Sequence, residues 1–223
     1  MEETYAFEQT PFGTGSFADN PEPRCPCILL LDVSGSMAGS KIQQLNEGIS
    51  VYKDELLADS LASKRVETAV ITFGPVKIES VFQTAPSLYL PNFEASGDTP
   101  MGSAIKLALE LLSQRKAEYR SNGIQFYRPW IFLITDGAPT DNWQEAAAMI
   151  KEGENGKSFA FFAVGVEDAN LDILKQISVR EPLKLRGLKF RELFMWLSNS
   201  MKSVSRSVMG SNVKLLPPGW AEI

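Results

Sequence analysis

Residues 28–32, ILLLD, and residues 129–136, PWIFLITD, are apolar almost from end to end and then stop at an aspartate. A strand with one wet face alternates polar and apolar positions. One without polar positions must be covered on both faces, which calls for helices above and below a parallel sheet. The runs VETAVITFG at 66–74 and SFAFFAVGV at 158–166 have a similar character. Between the runs, apolar residues recur three and four apart: Ile42, Leu45, Ile49, Tyr52 and Leu56, then Ile105, Ala108, Leu111 and Leu112, and finally Phe190, Leu193, Phe194, Leu197, Met201 and Val204. Strand and helix patterns alternate, so an α/β fold with a largely parallel sheet is expected.

Local signals set the expected boundaries. The first strand covers 27–32, and a helix opens at Ser40, with Gln43 three residues on in a capping-box pattern. After Gly74-Pro75, the segment VKIESVFQ alternates through Val76, Ile78 and Val81 and reads as an antiparallel edge partner of the strand before it. Pro100 starts a helix, Asp141 caps another with Gln144, a short helix covers 171–177, and EPLKLRG at 181–187 is the last strand. The expected organisation is an extended arm at 1–24, one domain at 25–209 and a tail at 210–223 held down by Leu215, Leu216 and Trp220.

A length of 223 residues supports one domain with a substantial core. The net charge of -5 argues against nucleic acid, whose binding depends on Lys and Arg displacing counterions. The one basic cluster, Arg180, Lys184, Arg186, Lys189 and Arg191, reads as solvated surface or as a face for an acidic partner protein. No apolar run is long enough for a membrane span, and the acidic start does not resemble a secretory signal, so a cytoplasmic setting without membrane contact is expected. Cys25 and Cys27 are the only cysteines and there is no histidine. That excludes Ser-His-Asp and Cys-His nucleophile systems, histidine-ligated metals and a four-ligand zinc site.

What remains is oxygen chemistry. In an open α/β sheet, ligands bind beyond the carboxyl ends of the strands. Three loops there carry oxygens: DVSGS with Asp32, Ser34 and Ser36, SGDTPMG with Thr99, and TDG with Asp136. Single-residue spacing in an extended loop turns residues 32, 34 and 36 to one side. Two carboxylates balance a divalent cation, and hydroxyls complete a hard-ion shell of the kind Mg²⁺ takes. Each part has a plainer reading: Thr99 before Pro100 is an ordinary helix cap, and the serines suit a tight turn at Gly35. The aspartates are less easily dismissed, because a carboxylate at the end of a buried strand needs a cation or several hydrogen bonds.

Those residues resemble the metal-ion-dependent adhesion site of von Willebrand factor A domains, with its Asp-x-Ser-x-Ser, distant Thr and distant Asp. DVSGSMAGSKIQQLNEGI, GDTPMGSAI, YRPWIFLITDGAPTD and FFAVGVEDANLDILKQIS further resemble the bacterial TerY-like branch, including YegL-type proteins. The resemblance implies a doubly wound, mostly parallel six-stranded sheet with helices on both faces. It also implies Mg²⁺ or Mn²⁺ at Asp32, Ser34, Ser36, Thr99 and Asp136, a partner protein supplying a carboxylate, and no catalysis. It implies association with bacterial stress or tellurite-resistance systems containing a protein kinase and a PP2C-type phosphatase. Two other functions stay open. One is Mg²⁺-dependent phosphoryl transfer or hydrolysis, weakened by the lack of a lysine in the metal loops. The other is a metal-independent scaffold subunit.

Overall fold

In a computed structural model, described for residue 17 and residues 19–222, each apolar run is a strand whose side chains part to two covered faces. β1 (Cys25–Asp32) is buried throughout. Its Cys27, Leu29 and Leu31 join one core and Ile28 and Leu30 the other, as the two-residue period of a strand requires. β2 (Val66–Phe73), β4 (Trp130–Thr135) and β5 (Ala160–Val166) divide in the same way.

The sheet has the order β3-β2-β1-β4-β5-β6-β7. β1 pairs in parallel with β2 and β4, β4 with β5, and β5 with β6 (Leu183–Leu185). β3 (Lys77–Thr84) is the expected antiparallel edge beside β2. The six expected strands are therefore present. A seventh comes from the tail, where β7 (Ala221–Glu222) runs antiparallel to β6.

α1 (Ser40–Leu57) and α6 (Phe190–Arg206) cover one face. They approach closely at Gly48, where a Cβ would stand 2.6 Å from Phe194. After the short α2 (Ala62–Arg65), α3 (Met101–Ser121), α4 (Gln144–Asn155) and α5 (Leu171–Ile177) contribute to the core on the other face. Leu112 is buried there and Leu111 only partly so.

Several local expectations are corrected. Ser40 is the first residue of α1 rather than its cap; Gly39 holds the cap position and no side chain caps the helix. Asp141 does not cap α4. Its carboxylate instead accepts hydrogen bonds from the Gly102 and Ser103 amides at 2.8 and 2.7 Å, serving the start of α3. Thr99 makes no cap either, because Pro100 holds that position. On β3 the buried side chains are Ser80 and Phe82, while Ile78 and Val81 face outward beside a register shift against β2. In the tail Trp220 is buried, but Leu216 is exposed and contributes only its carbonyl, to the Trp196 indole. Residues 1–16 of the expected arm lie outside the described residues. Nearer the domain, Phe17 lies 4.8 Å from the Arg115 guanidinium, and Arg24 is buried.

Candidate metal centre

The chain leaves β1 to one side for β2 and returns on the other side as β4, so the sheet order reverses between β1 and β4. A crevice opens at such a reversal beyond the carboxyl ends of the strands. Asp32 ends β1 there, and Asp136 follows β4 directly.

The Asp32 side chain is fully buried. Its Oδ1 accepts the Ser34 amide at 2.8 Å and its Oδ2 accepts the Thr135 hydroxyl at 2.5 Å. Burial pushes the Asp32 carboxyl above its ordinary range, against the pull of the Ser34 and Thr135 hydrogen bonds, and Asp136 adds a like charge. After Ser34, a turn of 3₁₀ helix (Gly35–Met37) brings the two serine hydroxyls within 3.0 Å of each other. Ser36 Oγ then donates to Asp136 Oδ1 at 2.6 Å.

The Thr99 loop is docked from the side. Gly35 donates its amide to the Gly97 carbonyl at 3.0 Å. Gly97 has φ +73°, and a Cβ on it would stand 2.1 Å from the Gly74 carbonyl oxygen, so only glycine fits. Thr99 then pairs with Thr140, its amide donating to the Thr140 hydroxyl at 3.1 Å and its carbonyl accepting the Thr140 amide at 2.9 Å. The meeting of the loops is visible at Gly137: its absent Cβ would lie 3.4 Å from Thr99 Oγ1 and 3.9 Å from Asp32 Oδ2. The structure thus gathers Asp32, Ser34, Ser36, Thr99 and Asp136 around one point, with Ser36 the most exposed.

Three partners escaped the sequence reading. Lys41, in the first turn of α1, donates to Asp136 Oδ2 at 2.6 Å and lies 3.2 Å from Glu167. Burial would lower the Lys41 ammonium, but the Asp136 and Glu167 carboxylates raise it above its ordinary range. Thr135 is the third. No lysine stands in the three loops themselves, but Lys41, shortly after Ser36 and in the first turn of α1, reaches Asp136 from the helix. Its spacing from Ser36 gives no signal without the direction of that helix.

The donors are all oxygens: two buried carboxylates, of which Asp32 is pushed toward its neutral form, and three hydroxyls. That set suits a hard divalent cation, which would favour the charged form of Asp32. Among the described residues no group of three or more His, Cys, Asp or Glu side chains forms a denser ligand cluster.

Residues 27–185 match the family model described as von Willebrand factor type A domain. The human inter-alpha-trypsin inhibitor heavy chain H6 is 25% identical over 171 residues, covering 74% of this chain and 13% of the human protein. This chain thus spans a small part of that relative's length. The vWF domain of the type V pili tip protein Mfa5 from Porphyromonas gingivalis superposes with a TM-score of 0.61 at 10% identity, over 84% of this chain and 98% of that one. The pilus adhesin SpaC from Lactobacillus rhamnosus GG gives 0.65 at 12% identity, over 81% and 30%. The ArnB paralog VWA2 from Sulfolobus acidocaldarius gives 0.53 at 17% identity, over 79% and 44%. At these identities the likeness to solved structures is one of fold.

Proposed function

The chain belongs to the von Willebrand factor type A domain family, whose members are typically adhesion and protein-interaction modules, and from that premise we propose that it binds a partner protein through a divalent cation. Asp32, Ser34, Ser36, Thr99 and Asp136 would hold Mg²⁺ or Mn²⁺. When bound, the ion supplies an electrophilic position that a carboxylate of the partner completes. The observation that carries this reading is the hydroxyl relay from Ser34 through Ser36 to Asp136, joining loops 100 residues apart beside the buried Asp32. Thr135 and the Ser34 amide hold Asp32 in place, and Lys41, itself balanced by Glu167, orients Asp136.

The TerY-like resemblance of the segments around Asp32, Thr99 and Asp136 supports a place in a bacterial stress or tellurite-resistance-type system, with a protein kinase and a PP2C-type phosphatase as partners. The two buried, unpaired cysteines fit a reducing, cytoplasmic setting. No helix among the described residues is long and apolar enough to cross a membrane.

The test uses Ser36→Ala, which takes one hydrogen bond from Asp136 but leaves it paired with Lys41, and Thr99→Val. Mg²⁺ should raise the melting temperature of the wild type and not of the variants. Partners should be retained from a bacterial lysate only by wild type in Mg²⁺. The same partners in chelator would defeat the reading. Lys41 beside Asp136 gives phosphoryl transfer its one supporting contact. Mg²⁺-dependent phosphate release that is lost in Thr99→Val would favour that alternative.

A further inference from the structure

At the opposite ends of the strands from Asp32 and Asp136, a cleft of about 840 Å³ opens where β4 and β5 begin. Its apolar lining includes Trp130 and Phe162, whose rings lie 5.2 Å apart, together with Phe126 from the loop after α3. Tail residues 210–213 and Leu215 form another wall.

Around those rings stand five cations: Lys116, Arg120, Arg128, Lys157 and Arg180. Arg180 lies over the Phe162 ring at 5.1 Å and Arg120 over the Phe126 ring at 5.8 Å. Among the described residues, one buried acid serves the group. Glu154 accepts Arg180 Nε at 2.5 Å and lies 3.8 Å from Arg128, with its side chain only 4% exposed. Lys116 donates to the Ser158 carbonyl, and Arg128 to those of Phe159 and Glu154. Burial and the neighbouring Arg120 hold Lys116 below its ordinary range. Burial lowers Arg128 too, with Glu154 opposing and Arg180 reinforcing. A chain of net charge -5 therefore concentrates positive charge in one concave, aromatic-lined place.

We propose that this cleft docks an acidic peptide segment of a partner protein, its carboxylates meeting Arg120, Arg128, Lys157 and Arg180 while an apolar side chain enters between Trp130, Phe126 and Phe162. Charge complementarity selects the occupant, and the mixture of rings and cations favours a segment carrying both carboxylates and an apolar anchor. The overall negative charge opposes a polyphosphate backbone. The site is separate from the metal centre. The six residues of β4 hold the two about 20 Å apart at a rise of about 3.3 Å per residue.

The test measures fluorescence anisotropy of a labelled glutamate-rich dodecapeptide with one central phenylalanine, added to the full chain in chelator. Chelator removes any carboxylate binding at the metal centre, so failure here and failure of the metal-dependent reading are distinguishable. The peptide should bind, weaken as salt rises, and lose at least about tenfold in affinity to Arg120→Glu/Lys157→Glu, two exposed positions, measured at a temperature well below the melting point of either protein. Three results would each overturn the proposal: no binding in chelator, equal affinity for the double variant, or tighter binding of an oligothymidylate of equal length.

Discussion

Lys41 Nζ lies 2.6 Å from Asp136 Oδ2, so one carboxylate of the candidate metal centre already carries a cation of the protein's own. On the proposed reading, an incoming divalent ion would meet an Asp136 whose charge is partly compensated. Lys41→Met should therefore tighten Mg²⁺ binding about tenfold, since a unit charge at this range and partial burial acts with an energy of a few kcal/mol before screening. Calorimetric titration reads the change. Weaker binding would mean that Lys41 matters chiefly by holding Asp136 in position.

Gly137 gives a steric test of the same site. A methyl group there would stand 3.4 Å from Thr99 Oγ1, an ordinary contact that leaves the fold within about 1 kcal/mol, but it would enter the space between the Thr99 and Asp32 oxygens. Gly137→Ala should keep its urea midpoint and lose most of its Mg²⁺-induced stabilisation. Undiminished stabilisation would place the ion elsewhere.

Glu67 on β2 anchors a network beneath the first residues of the domain. It accepts Arg24 Nε at 2.8 Å, Arg115 Nη2 at 2.7 Å and the Tyr119 hydroxyl at 2.5 Å. Glu67 and Arg24 are both nearly inaccessible. Glu67→Ala removes the carboxylate from the buried Arg24, which keeps only the Glu22 and Asn20 carbonyls, and leaves Arg115 with Glu118, a loss of about 3 kcal/mol. The urea midpoint should fall with little change in slope, and Mg²⁺ affinity should be unaffected, because Glu67 lies on the second residue of β2 and the metal centre lies beyond the strand ends.

Cys25 and Cys27 flank Pro26 on β1, both buried and unpaired. Burial pushes the Cys27 thiol up to about 12, with a hydrogen bond to Tyr52 acting the other way, and raises Cys25 further still. Both thiols therefore stay protonated and covered at pH 8, so a thiol-specific reagent should label neither cysteine in the native protein and both in urea. Rapid native labelling would show that β1 opens at its first residues.

Much of this was legible in sequence because strands buried on both faces leave an unbroken apolar signature, and because the aspartates that end two of them have few ways to be satisfied. Asp32 and Asp136 were placed by that argument, whereas the two-residue period of an extended loop does not account for Ser34 and Ser36, because residues 35–37 form a 3₁₀ turn that brings their hydroxyls together. Lys41 and Glu167 were not placed, since their approach to Asp136 depends on how the start of α1 and the loop after β5 are aimed. Asp141 was read as a local cap because Gln144 follows at the right spacing. It serves α3 instead, a choice decided by the packing of two loops. The faces of β3 were misjudged because a register shift against β2 turns Ser80 and Phe82 inward.

The pairing of β7 with β6 has a consequence for self-association. It leaves β3 as the one long strand with an unpaired side among the described residues, the opposite border being the two-residue β7. Two copies that zip together along β3 use up that border on both, and the assembly stops at a closed pair instead of growing into a fibre.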